Sequence, residues 1–193
     1  MKRIALLLVI FFTVLAVAQT TSYSSSKAAI DVTKVTTYSD ATLGFTIDSP
    51  IKLDKKVSKE NTDSGQPYDV IMFNGQDDDG LYVVSIGVQP VGTKVPAATL
   101  NGLIDDFNKA GKVTTISDDI VSNQPAIRFV FVTPAEAEGH IPPLKTLMLA
   151  TFKDNRLYMV SFTTPVGYDP PDHEKILAFF NSFKLLDPPT EKK

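Results

Sequence analysis

His140 and His173 are the only imidazoles in a chain that has no cysteine and no tryptophan. The missing thiols exclude cysteine nucleophiles, cysteine-ligated zinc, iron–sulfur clusters and CxxCH haem attachment. His140 stands between Gly139 and the Pro142-Pro143 pair, and His173 between Asp172 and Glu174 at the start of the last helical pattern. Both read as exposed side chains rather than ligands, although two residues distant in sequence can meet in space. The densest oxygen cluster is Asn74-Gly-Gln-Asp-Asp-Asp-Gly80. A calcium loop needs several inward oxygens and a bidentate glutamate at a fixed distance, whereas here three aspartates follow one another and no glutamate occupies that position. The cluster therefore reads as a tight acidic turn, Asp118-Asp119 as a bend, and Asp105-Asp106 as the wet face of a helix.

Serine chemistry has no anchor either. There is no Gly-x-Ser-x-Gly elbow and no GxxxxGK phosphate loop, and Ser85 and Ser161 lie in alternating strand patterns where packing is their ordinary role. Nothing selects one carboxylate pair from 22 acidic residues. No catalytic, cofactor-binding or metal-ligating residue is assigned, no cofactor is expected, and an enzyme is the minority reading. A binding surface is easier to motivate: the Pro134–Pro143 connection carries Glu136, Glu138 and His140, with Tyr168 between the last strand and the last helix. Connections raised on a rigid sheet are where binding residues concentrate. The competing account of this loop is a solvated connection without a partner.

The beginning of the chain reads as a targeting device. Lys2 and Arg3 precede an apolar run from Ile4 to Phe12, which resumes after Thr13 and ends in Ala16-Val17-Ala18, the order of a secretory signal peptide and its cleavage site. As a helix, Ile4 to Ala18 would rise only about 22 Å, short of the roughly 30 Å hydrocarbon core. No cysteine follows, so lipid modification there is excluded. The expectation is an exported protein, periplasmic or extracellular, with residues 1–18 removed and no spanning segment afterwards. Counting from Gln19, seventeen basic residues face 22 acidic ones; such a balance without a basic run offers no footprint for nucleic acid or anionic lipid. No Asn-x-Ser/Thr sequon is present.

The remaining length suits one domain. Residues 19–37 read as a flexible Ser/Thr-rich leader with strand character at Ile30 to Val35, residues 38–185 as the domain, and 186–193 as a tail. Leu43 to Ile47, Tyr68 to Phe73, Gly80 to Val88, Lys112 to Ile116, Ile120-Val121 and Ala126 to Thr133 read as strands, and Ile51 to Gln66 as a polar stretch. Leu144 to Phe152 and Leu157 to Thr164 form a hairpin through Lys153–Arg156. Pro96 opens a helix with Leu100, Leu103, Ile104 and Phe107 at helical spacing and Gly111 at its end. A second helix is predicted with Asp169 as its cap, Pro170 in its first turn and Ile176, Leu177, Phe180 and Phe183 as its buried stripe. Strands, helix, strands, helix is the order of an α+β fold: a central antiparallel sheet flanked by helices.

Tyr38-Ser-Asp with Leu43-Gly-Phe-Thr-Ile-Asp-Ser-Pro50, then Leu157-Tyr-Met-Val-Ser-Phe162, then Phe179-Phe-Asn-Ser-Phe183 resemble the PsbP-like family, whose fold is shared by the extrinsic photosystem II protein and a nuclear-import regulator that binds a small GTPase. The resemblance runs from about Tyr38 to Phe183 and implies an α/β/α sandwich. Two features depart from it: the aromatic that often follows the first motif's proline is replaced by Ile51-Lys-Leu53, and the amino terminus resembles a simple export signal. The resemblance implies an exported accessory or protein-binding domain and no chemistry. The alternatives are a small-ligand or lipid-binding module, which needs an apolar cavity between sheet and helix, and a hydrolase whose residues meet only in space.

Overall fold

The structure, a computed structural model, describes residues 35–61, 65–89, 98–134, 142–170 and 172–187. The predicted signal segment, the leader before Val35, and Glu136, Glu138 and His140 lie outside the described residues. Seven antiparallel strands make the main sheet: β3 (Asp54–Asn61), β4 (Pro67–Gln76), β5 (Leu81–Val88), β6 (Lys112–Val121), β7 (Gln124–Thr133), β8 (Leu144–Lys153) and β9 (Arg156–Pro165), in the order β3-β4-β5-β9-β8-β7-β6. A second sheet sets β2 (Phe45–Ser49) between β1 (Thr36–Asp40) and β10 (Lys184–Leu185). Helix α1 (Ala98–Ala110) lies against β6 and β7, and α2 (His173–Ser182) against β2 and β9. The α+β architecture is as the order of elements predicts.

Burial explains which strands are central. β5 and β9 are buried along nearly their whole length, so the alternation expected around Ser85 and Ser161 is replaced by burial on both faces. One face packs against the small sheet and α2 through Phe45, Phe73, Tyr82, Tyr158, Phe162, Phe179 and Phe183. On the other face Leu103 and Phe107 of α1 meet Phe129, Phe131 and Met148. The Tyr158 hydroxyl donates to the Leu43 carbonyl at 2.8 Å inside the core, tying the main sheet to the bend before β2. Tyr158→Phe is expected to cost about 1–3 kcal/mol, because it leaves that carbonyl buried without its donor; urea unfolding of the two proteins measures the difference.

Several sequence expectations are corrected here. Ile51 to Gln66 contains an edge strand, β3, whose exposed lysines mask any apolar alternation. Lys112–Val121 is one strand, so Asp118-Asp119 is not a bend; the reversal falls at Ser122 and Asn123, both at positive φ, 48° and 64°, the backbone of a two-residue hairpin turn. Helix α2 is capped by Asp172, whose carboxylate accepts from the Lys175 N–H at 2.9 Å, not by Asp169. Of the predicted stripe, Ile176, Phe180 and Phe183 are buried, Phe179 joins them and Leu177 is half exposed. Asp106 is buried beside Lys109 rather than on the wet face. At the end of the predicted domain, Lys184-Leu185 pairs with β2.

Candidate functional site

Within the acidic turn Asp78 faces water, whereas the Asp77 and Asp79 side chains are turned inward. Asp77 accepts from the N–H groups of Asp79 and Gly80 at 2.9 and 3.1 Å, so its side chain shapes the turn in the manner of aspartates at chain reversals. Gly80 is required on packing grounds: a Cβ there would lie 2.4 Å from the Thr163 carbonyl oxygen and against the Phe162 ring. Held this way, the turn directs two carboxylates at Lys175 in the first turn of α2. The Lys175 Nζ lies 3.0 Å from Asp77 Oδ2 and also bonds Asp79 Oδ2. The side chains are almost closed to solvent, with 11% of Lys175 and 4% of Asp77 exposed.

Burial alone would pull the Lys175 ammonium towards neutrality; the hydrogen bonds it donates to Asp79 and Asp77 outweigh it and hold its pKa above the ordinary lysine range. An amine held protonated is neither a nucleophile nor a base. The Tyr82 hydroxyl, buried beside this cluster, is pushed well above the tyrosine range by burial first and by the Asp77 charge second, with Lys175 opposing both. The arrangement is an ionic brace between α2 and the β4–β5 turn. Among the described residues no group of three or more histidine, cysteine, aspartate or glutamate side chains could hold a metal ion.

Beside the brace runs a groove of about 440 Å³, lined by Asp48, Pro50, Asp77, Lys175, Phe179 and Ser182 among others. Ser182 fixes one wall: its hydroxyl accepts from the Asp48 N–H at 2.9 Å and donates to the Phe179 carbonyl at 2.9 Å. Asp48, Asp172 and Glu174 also line the groove, and no ion pair engages them among the described residues. One side of the groove thus carries unneutralised negative charge over an apolar floor.

Of the four residues expected at an interaction loop, only Tyr168 is described. Its hydroxyl lies 3.4 Å from Asp79 Oδ1, at the edge of the brace. The Val166 N–H bonds the Pro143 carbonyl at 2.8 Å, so Tyr168 follows the point where the Pro134–Pro143 connection rejoins the sheet. His173 is exposed and pairs with Asp169 at 3.0 Å. The brace was invisible in the sequence because its partners stand almost a hundred positions apart; three adjacent aspartates without a nearby cation were the only trace.

An antiparallel sheet with helices on its two faces and a small second sheet on one of them defines an α+β sandwich. The chain has the PsbP-like fold: it is similar to the solution structure of cyanobacterial PsbP (CyanoP) from Synechocystis sp. PCC 6803, with 14% identity, a TM-score of 0.51 and coverage of 85% of this chain and 99% of that one. It is also similar to a Pseudomonas aeruginosa protein of unknown function, with 15% identity, a TM-score of 0.47 and coverage of 81% and 99%. No protein-family profile and no curated protein matches the chain. No described helix is long and apolar enough to cross a membrane.

Proposed function

We propose that this protein is an exported, non-catalytic accessory domain that holds a protein partner, and that the groove beside α2 receives a basic segment of that partner. The observation that carries the reading is the row of carboxylates, Asp48, Asp172 and Glu174, that no ion pair engages among the described residues, along a groove whose lysine is already claimed by the brace. Such a surface attracts cations and orients their approach. Export rests on the Lys2–Ala18 pattern, and the PsbP-like fold supports a non-enzymatic role by analogy of fold.

The test is cross-linking and affinity capture of the mature protein from its native envelope, repeated with Asp48→Lys/Glu174→Lys. Reversing two rim charges is expected to reduce recovery of a stoichiometric partner about tenfold, with the loss steeper at low salt. Glu60→Lys, on the distant β3 edge, serves as the control and should retain capture. Unchanged recovery by a folded double variant overturns the assignment of the groove, and a small molecule released from the purified protein on denaturation would replace the partner with a ligand.

A further inference from the structure

The two outer strands of the main sheet differ in a way that packing does not require. β3 carries Lys55, Lys56 and Lys59 across eight residues, the usual protection of an edge against pairing with another chain. β6 has a single lysine, Lys112 at its start, and after the irregularity between Val113 and Thr115 it runs regularly to Val121 with neither lysine nor proline. Its outer edge pairs with no strand among the described residues, the Ile120 N–H being turned to the Asp119 carboxylate at 2.8 Å, and it is accompanied by two exposed isoleucines, Ile116 at 55% and Ile120 at 73%. Ile116, Asp118 and Ile120 stand opposite Phe129, Ile127 and Pro125. Since Phe129 and Ile127 belong to the core under α1, all three face the α1 side of the sheet.

That side holds a second groove, about 410 Å³, between the start of α1 and the β6–β7 hairpin, lined by Leu100, Asp118, Ile120, Pro125 and Ile127 among others. Its charges are asymmetric: Asp119 is neutralised by Arg128, whereas Asp118 is exposed and makes no ion pair among the described residues. An open edge supplies main-chain donors and acceptors, and an adjoining apolar groove supplies places for alternate side chains, which are the two requirements of strand addition.

We propose that Thr115–Val121 accepts an extended segment of a protein partner as an eighth strand, with alternate apolar side chains laid over Ile116 and Ile120 and a basic residue facing Asp118. This site is separate from the carboxylate groove beside α2 and does not depend on it. The charge of Asp118 selects the occupant: two β6 edges paired with each other would bring Asp118 near its own copy.

The experiment is amide hydrogen exchange on the mature protein with a blocked peptide of about eight residues, alternating valine and threonine with one central lysine, and with its central-glutamate counterpart. At millimolar peptide, the edge amides of Thr115–Val121 should exchange about tenfold more slowly with the lysine peptide and little differently with the glutamate peptide, with no change along β3. Asp118→Lys should reverse the preference, and Ile120→Lys, a change at an exposed position that leaves the core untouched, should abolish protection by both. Equal protection by the two peptides, protection shared with β3, or none at all overturns the proposal. Protection that rises with protein concentration and without peptide assigns the edge to a second copy and overturns it equally.

Discussion

Lys175→Met is expected to destabilise the protein by about 3–5 kcal/mol, the cost of leaving buried carboxylates without their cation. Asp77 and Asp79 are almost closed to solvent, with 4% and 11% of their side chains exposed, and methionine fills the volume while removing the charge. The measurement is urea unfolding at neutral pH. Adding Asp77→Asn and Asp79→Asn should return most of the loss, because neutral side chains no longer require a buried counter-ion; a triple variant as unstable as the single one would show that Lys175 contributes packing rather than charge. The pH dependence has a definite sign. A lysine whose folded pKa is raised stabilises the fold fully below its unfolded value, near 10.4, and ceases to do so as pH climbs through the folded value. The gap between the wild type and Lys175→Met should therefore be constant from neutral pH to about 10 and narrow above it.

Phe107→Ala should cost a comparable 3–5 kcal/mol, approximately the loss for a large aromatic removed from a packed core. Phe107 is 1% exposed, and its ring meets Phe129 and Phe131 edge-on at 5.1 and 4.9 Å. Phe107→Leu keeps most of the apolar area and should lose less than half as much. Unfolding followed by circular dichroism gives both values. Exchange of the α1 amides discriminates further: if Phe107 anchors α1 to the sheet, the alanine variant should lose protection in α1 before it does so in β5 or β9. A uniform loss would mean that α1 unfolds only with the whole domain. The result bears on the β6 groove as well, since Leu100 of α1 supplies one of its walls.

The misreadings of the sequence share a cause. Helix α2 is recognisable from Ile176, Phe180 and Phe183, but two aspartates three positions apart, Asp169 and Asp172, offer equivalent caps to a local reading, and the structure uses the later one. Phe179 rather than Leu177 completes the buried face, a choice made by the sheet it packs on. β3 escaped because an edge strand guarded by lysines has the composition of a loop. The turn at Ser122-Asn123 lacks the glycine that normally announces a two-residue reversal, although asparagine tolerates positive φ. Tyr168, a connection residue, stands at a charged cluster whose cation and buried acids no local pattern links to one another.

The amino-acid sequence by itself determined the α+β class, the strand segments that become β5 and β9, the face of α1 formed by Leu100, Leu103, Ile104 and Phe107, and the exclusion of thiol chemistry, because periodicity and composition are local properties that any sufficiently long window displays. The tertiary structure alone decided that Lys175 meets Asp77 and Asp79, that Asp48 shares a groove with Glu174, and that β3 and β6 are the outer strands of the main sheet. Those relations join residues from strands distant along the chain, and they depend on strand order, which pairwise packing of the whole sheet selects and no local pattern encodes.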